Sequence, residues 1–153
     1  MTRSDERSQR GLEGERRGAL PDGTRVIAVG RRDLSDDAYR AIADEALQEH
    51  AGVATSPVVS RISYVQADLE AGPRGLQALA AALPPGTGRT RVYYLACAPD
   101  LFSPVCAGLG ALGLVDDRSR VVLEKPLGTD LRSAQLISNQ VAQVFDERQV
   151  FRI

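Results

Sequence analysis

Ser119-Arg120-Val121-Val122-Leu123-Glu124-Lys125-Pro126-Leu127-Gly128 is the stretch on which the reading of this chain turns. Val121-Val122-Leu123 is a short apolar run backed by a turn-forming segment, the pattern of a buried strand giving way to a loop. Thr129 or Asp130 then offers a helix N-cap, and Leu131, Ala134, Ile137, Val141, Val144 and Phe145 recur at helical spacing. Arg120 to Glu124 thus predicts a strand and the residues after Gly128 a helix. At the junction stands the only lysine of a chain with 19 basic residues, the other eighteen being arginine. An ammonium is a compact point charge on a flexible stem, with a pKa that burial can move, so it does site chemistry that arginine does poorly. Strand-to-loop junctions are common, and position alone leaves both a functional and an incidental role open for Lys125.

Working outward, the same alternation repeats. Val26-Ile27-Ala28-Val29 predicts a strand. Ser35 caps a helix with Asp36 and Asp37 in its first turn and Tyr39, Ile42, Ala43, Ala46 and Leu47 on one face, stopping at Gly52. Arg61 to Val65 predicts a second strand, and Pro73 opens a helix bearing Leu76, Leu79, Ala80 and Leu83, ended by Pro84-Pro85-Gly86. Arg91 to Ala96 predicts a third strand. A helix follows from about Asp100, with Phe102, Val105, Leu109 and Leu112 inward and Gly113 at its stop. Gln149 to Ile153 predicts a fifth strand. Strands and helices alternating at this spacing predict an α/β fold, a parallel sheet with helices on both faces. Ligands of such sheets sit beyond the carboxyl ends of the strands. Arg31, Asp68, Ala96-Cys97-Ala98-Pro99 and Glu124-Lys125-Pro126 all fall just past predicted strand ends, so four segments are expected at one edge.

Composition narrows the classes. The 153 residues suit one domain, with 1–24 a charged lead and 25–153 the folded part. The lead holds five arginines, five acids and four glycines, too little apolar surface to offset ordering, and is expected to be disordered. Twenty acids against 19 bases give a net charge of −1 and no basic face, which argues against nucleic acid. No apolar run reaches transmembrane length, and the N-terminus lacks a signal core, so no membrane partner is expected. Cys97 and Cys106 form neither a CxxC nor a metal spacing and read as reduced thiols of a cytoplasmic protein. One histidine, His50, and no cysteine cluster argue against a zinc site; His50 reads as a surface residue near a helix end.

Five segments in order resemble the glucose-6-phosphate dehydrogenase family. They are Val29-Gly30-Arg31-Arg32-Asp33-Leu34-Ser35-Asp36, the run from Ser60 to Leu69, the run from Tyr93 to Cys106, the quoted stretch 119–128, and Phe145-Asp146-Glu147-Arg148-Gln149-Val150-Phe151-Arg152-Ile153. The resemblance implies NADP as cofactor, glucose 6-phosphate as substrate and a doubly wound, Rossmann-like sheet. It places Arg31, helped by Arg32, at the 2′-phosphate. An arginine fork suits a phosphate, whereas an acid at this strand end would favour the ribose hydroxyls of NAD. It places Asp68 and Leu69 at the adenine edge, Tyr94, Ala96 and Pro99 in a loop bordering the cofactor, and Glu124, Lys125 and Pro126 at the cofactor, with Lys125 also touching the sugar phosphate. It implies a cis bond between Lys125 and Pro126. Cys97-Ala98 departs from the Leu-Pro of the family's loop. Glu-Lys-Pro-Leu after a strand also resembles the glucose–fructose oxidoreductase group, but no histidine follows Pro99 here.

Other family features have no counterpart. Nothing resembles the opening strand and its Gly-Ala-Ser-Gly-Asp-Leu-like loop; Gly11-Leu12-Glu13-Gly14-Glu15-Arg16-Arg17-Gly18 has no strand before it, and its acids would repel a phosphate. The Asp-His-Tyr-Leu-Gly-Lys run and the histidine base are also missing. The resemblance therefore implies an incomplete doubly wound sheet without its central first strand. Three outcomes are expected: the strands at 25–29 and 91–96 pair directly, a partner chain supplies the strand or the catalytic domain, or the domain is marginal. Two functions stay open: a cofactor-domain fragment of an NADP-dependent oxidoreductase, or a non-catalytic relative acting as a binding module or subunit.

Overall fold

The computed structural model describes residues 21, 23–51, 57–83 and 88–153. The lead up to residue 20, Gly52 and Pro84-Pro85-Gly86 lie outside them. Among the described residues one compact unit runs to Ala28 and from Ser35 to Tyr64; the other comprises Val29–Leu34 and Val65–Ile153. The element order is β1 Val26–Gly30, α1 Asp36–Ala51, β2 Ile62–Gln66, α2 Gln77–Ala82, β3 Arg91–Leu95, α3 Phe102–Ala111, β4 Ser119–Leu123, α4 Leu131–Val141 and β5 Val150–Arg152.

In the first unit the Ser35 hydroxyl accepts the Ala38 N–H (3.2 Å), the expected N-cap. The Asp36 carboxylate accepts the Tyr64 N–H at 2.7 Å, and the Arg40 guanidinium donates to the Ile62 carbonyl at 2.7 Å. Tyr39 stacks on Tyr64 at 5.0 Å between ring centroids. Charged groups of the first helical turns thus fasten α1 to the start of β2.

In the second unit β3, β4 and β5 form a parallel sheet in that order, with Tyr93 opposite Val121 and Val121 opposite Val150. Alternation with period two puts Leu95, Val121, Leu123 and Val150 on a buried face. Val92, Tyr94 and Phe151 lie on the opposite, exposed face. The core is built on α3, whose Phe102, Val105, Cys106 and Leu109 are at most 3% exposed. A Cβ on Gly108 would sit 2.8 Å from Leu76 Cδ1, so a larger residue there would displace the buried Leu76 side chain between α3 and the turn before α2.

β1 pairs with β2 and not with β3, so direct closure of those two strands is not what happens among the described residues. Two local expectations are corrected. Pro73 does not open an α-helix: it lies inside a 3₁₀ segment, Leu69–Arg74, kinked at Gly72 (φ +60°), and α2 begins only at Gln77. Leu76 and Leu79 are nevertheless buried, because the 3₁₀ segment delivers them to α3. Leu131 is 75% exposed instead of inward. It is the first residue of α4 and lies roughly 120° around the helix from Ile137.

Candidate functional site

The carboxyl ends of β1 and β2 lie side by side. The Ala67 N–H donates to the Gly30 carbonyl (2.8 Å), and Gln66 Nε2 donates to the Arg31 carbonyl (3.0 Å). The ladder thereby fixes the backbone of Arg31 while its side chain stays 74% exposed. One guanidinium nitrogen, Nη1, contacts Glu70 Oε1 at 3.3 Å. Asp68, next along, accepts the Glu70 N–H at 3.0 Å and so caps the 3₁₀ segment that carries Glu70. Leu69 is half-buried and Arg32 exposed. Neither Gln66 nor Glu70 was picked out from the sequence. The signal for Glu70 was an acid two residues past the strand-end Asp68, which looks like any polar loop residue.

A second cluster lies at the carboxyl ends of β3, β4 and β5. The Tyr94 hydroxyl donates to Glu124 Oε1 at 2.5 Å, and this bond to a carboxylate pushes the Tyr94 phenol up from its usual value. Tyr94 is 53% exposed, so it is not a core residue. Ala96 is exposed, and half-buried Pro99 starts a 3₁₀ turn leading into α3. Cys97 and Cys106 are not paired with each other; burial raises the Cys97 thiol and pushes Cys106 up to about 12, which disfavours the thiolate. The Lys125 N–H donates to the Ile153 carbonyl at 2.9 Å, continuing the β4–β5 ladder past the strand end. Its side chain is exposed and has no hydrogen bond or ion pair among the described residues. The Lys125–Pro126 peptide bond is cis, as the resemblance implied. The candidate residues thus fall past strand ends of two hydrogen-bonded sheets, Arg31 and Asp68 after β1 and β2, Tyr94, Glu124 and Lys125 at the ends of β3 and β4. His50 is near the end of α1; its side chain lies outside the described set.

The residues fit part of a dinucleotide. Arg31 offers an exposed fork of the kind that binds a phosphate bidentately. A pyrophosphate wants free N–H groups at a helix start. Among the described residues, α1 carries Asp36 and Asp37 in its first turn, Asp100 precedes α3 and Asp130 caps α4, while α2 has no acid in its first turn. No group of acids, histidine and cysteine suited to a metal is present among them, and no described helix is long and apolar enough to cross a membrane.

The family model described as glucose-6-phosphate dehydrogenase, NAD binding domain, matches residues 12–153. The chain belongs to the glucose-6-phosphate dehydrogenase family. It is 44% identical over 149 residues to glucose-6-phosphate 1-dehydrogenase of Mycolicibacterium smegmatis, covering 91% of this chain and 30% of that protein. It is 38% identical to the enzyme of that name from Dickeya dadantii over 144 residues, covering 91% and 29%. Glucose-6-phosphate 1-dehydrogenase from Mycobacterium avium superposes with a TM-score of 0.77 at 31% identity, over 92% of this chain and 30% of that one. A glucose-6-phosphate dehydrogenase solved with its substrate glucose-6-phosphate gives 0.72 at 29% identity, over 93% and 32%. The chain therefore spans about 30% of the length of these relatives and corresponds to their nicotinamide-dinucleotide-binding domain, with the α/β, Rossmann-like fold of that family.

Proposed function

We propose that this chain is the NADP-binding part of a cytoplasmic glucose-6-phosphate 1-dehydrogenase of the pentose phosphate pathway, and that it does not complete catalysis by itself. Family membership supports the oxidoreductase assignment. The observation that carries the choice of NADP is Arg31, an exposed guanidinium just beyond β1, where an acid would suit NAD. In this reading Arg31, assisted by Arg32, grips the 2′-phosphate, and Asp68 and Leu69 border the adenine. Tyr94, Ala96 and Pro99 line the cofactor, and Tyr94 steadies the Glu124 carboxylate beside it. Lys125, free of other partners among the described residues, orients the sugar phosphate. The bound cofactor supplies the hydride acceptor for C1 of the sugar. Removing the sugar hydroxyl proton calls for a base, and within this chain no histidine stands at a strand end.

A second reading, a non-catalytic binding module or subunit of a related dehydrogenase, draws on one observation: the acidic helix starts that would repel a pyrophosphate. A titration of the full chain with NADP+, paired with an assay of glucose 6-phosphate oxidation, tests the proposal. We expect micromolar binding and no turnover. Turnover by this chain would contradict the missing-base argument, and absence of binding would leave the non-catalytic reading.

A further inference from the structure

Glu70 is held against the same guanidinium that a 2′-phosphate would use. Its carboxylate is 3.3 Å from Arg31 Nη1, and hydrogen bonds hold the backbones that carry the two side chains. The Glu70 N–H is tied to Asp68 at 3.0 Å, the Arg31 carbonyl to Gln66 at 3.0 Å, and the preceding Gly30 carbonyl to Ala67 at 2.8 Å. The turn bearing Glu70 is itself packed tightly, because a Cβ on Gly75 would lie 1.8 Å from the Asp68 carbonyl oxygen. Carboxylate and phosphate are both anions that use the same guanidinium donors, and they repel each other.

Resting on the reading of Arg31 as the phosphate grip, we infer that Glu70 is a specificity-determining residue of opposite sign: an internal competitor that lowers the chain's preference for the 2′-phosphorylated cofactor. Arg31 must exchange Glu70 for the phosphate. Glu70 makes no demand on a ligand that lacks the 2′-phosphate. The two side chains are 74% and 64% exposed, so solvent weakens the pair. An exposed ion pair of this kind sets the scale of the effect at roughly two- to fivefold in affinity.

The test is a titration of the full chain with 2′,5′-ADP and with 5′-AMP, which carry the adenosine end alone and differ by one phosphate. Glu70→Gln keeps the backbone N–H that Asp68 caps and removes only the charge. It should tighten 2′,5′-ADP by about two- to fivefold and leave 5′-AMP unchanged, and the gain should vanish in an Arg31→Ala background. Unchanged or weaker 2′,5′-ADP binding by Glu70→Gln overturns the inference. If wild type prefers 2′,5′-ADP and Arg31→Ala abolishes that preference, the phosphate grip survives such a result. If wild type shows no preference or no binding, the grip and this inference fall together.

Discussion

Gln149 ties together the starts of β4 and β5. It is 4% exposed and fully satisfied: Nε2 donates to the carbonyls of Asp116 (2.7 Å) and Ser119 (2.8 Å), and Oε1 accepts the Asp146 N–H (2.9 Å). Beside it the Ser119 hydroxyl, wholly buried, donates to Asp116 Oδ1 at 2.8 Å. That hydrogen bond, helped by the Arg118 N–H and the charge of Arg91, holds the Asp116 carboxyl below its ordinary value. A carboxyl depressed in the folded state stabilises above its unfolded value of about 4 and loses that contribution as pH falls through the lower, folded one. Urea unfolding across pH 3–7 should therefore show stability dropping at the acid end, with a shallower drop in Asp116→Asn; identical profiles would remove the role. The effect is modest because the carboxylate is exposed to water. None of this was legible in the sequence, where Gln149 reads as the first residue of a strand. Arg31 and Lys125 were legible as charges at strand ends, whereas Glu70 was not, since its partner is 39 residues away.

At the scale of elements, the strands were placed to within a residue because short apolar runs bounded by polar residues have few other readings. Helix starts were less uniform. Of the two expected caps, Thr129 and Asp130, it is Asp130 that caps α4: its carboxylate accepts the Ser133 N–H at 2.7 Å, while the Ser133 hydroxyl accepts the Asp130 N–H at 3.0 Å, a reciprocal capping box. Replacing Asp130 by Ala should lower stability, read as a lower midpoint of chemical unfolding; an unchanged midpoint would mean that Ser133 alone suffices. The segment before α2 misled because proline at a helix start and proline inside a 3₁₀ turn look alike in sequence. The deciding feature, the left-handed Gly72 just before Pro73, is a backbone property. α4 ends at Val141, yet Phe145 beyond it is 1% exposed and meets Tyr93 edge-on at 6.2 Å between ring centroids. Helical spacing foresaw that burial but not the turn that delivers it.

At the scale of the molecule, the alternation of strands and helices gave the fold class, while the division into a β1–β2 pair and a β3–β4–β5 sheet follows from hydrogen bonds that no periodicity records. The family came from five ordered segments, and the comparison over residues 12–153 agrees with them. What the chain does with that inheritance rests on whether its binding surface reads the phosphate that separates NADP from NAD. The most direct test is to measure dissociation constants of NADP+ and NAD+ for the full chain and for Arg31→Ala. We expect NADP+ to bind the wild type more tightly and Arg31→Ala to lose about 1.5–3 kcal/mol for NADP+, with little change for NAD+. Equal losses for the two cofactors, or no preference in the wild type, would contradict the assignment of this chain as an NADP-binding domain.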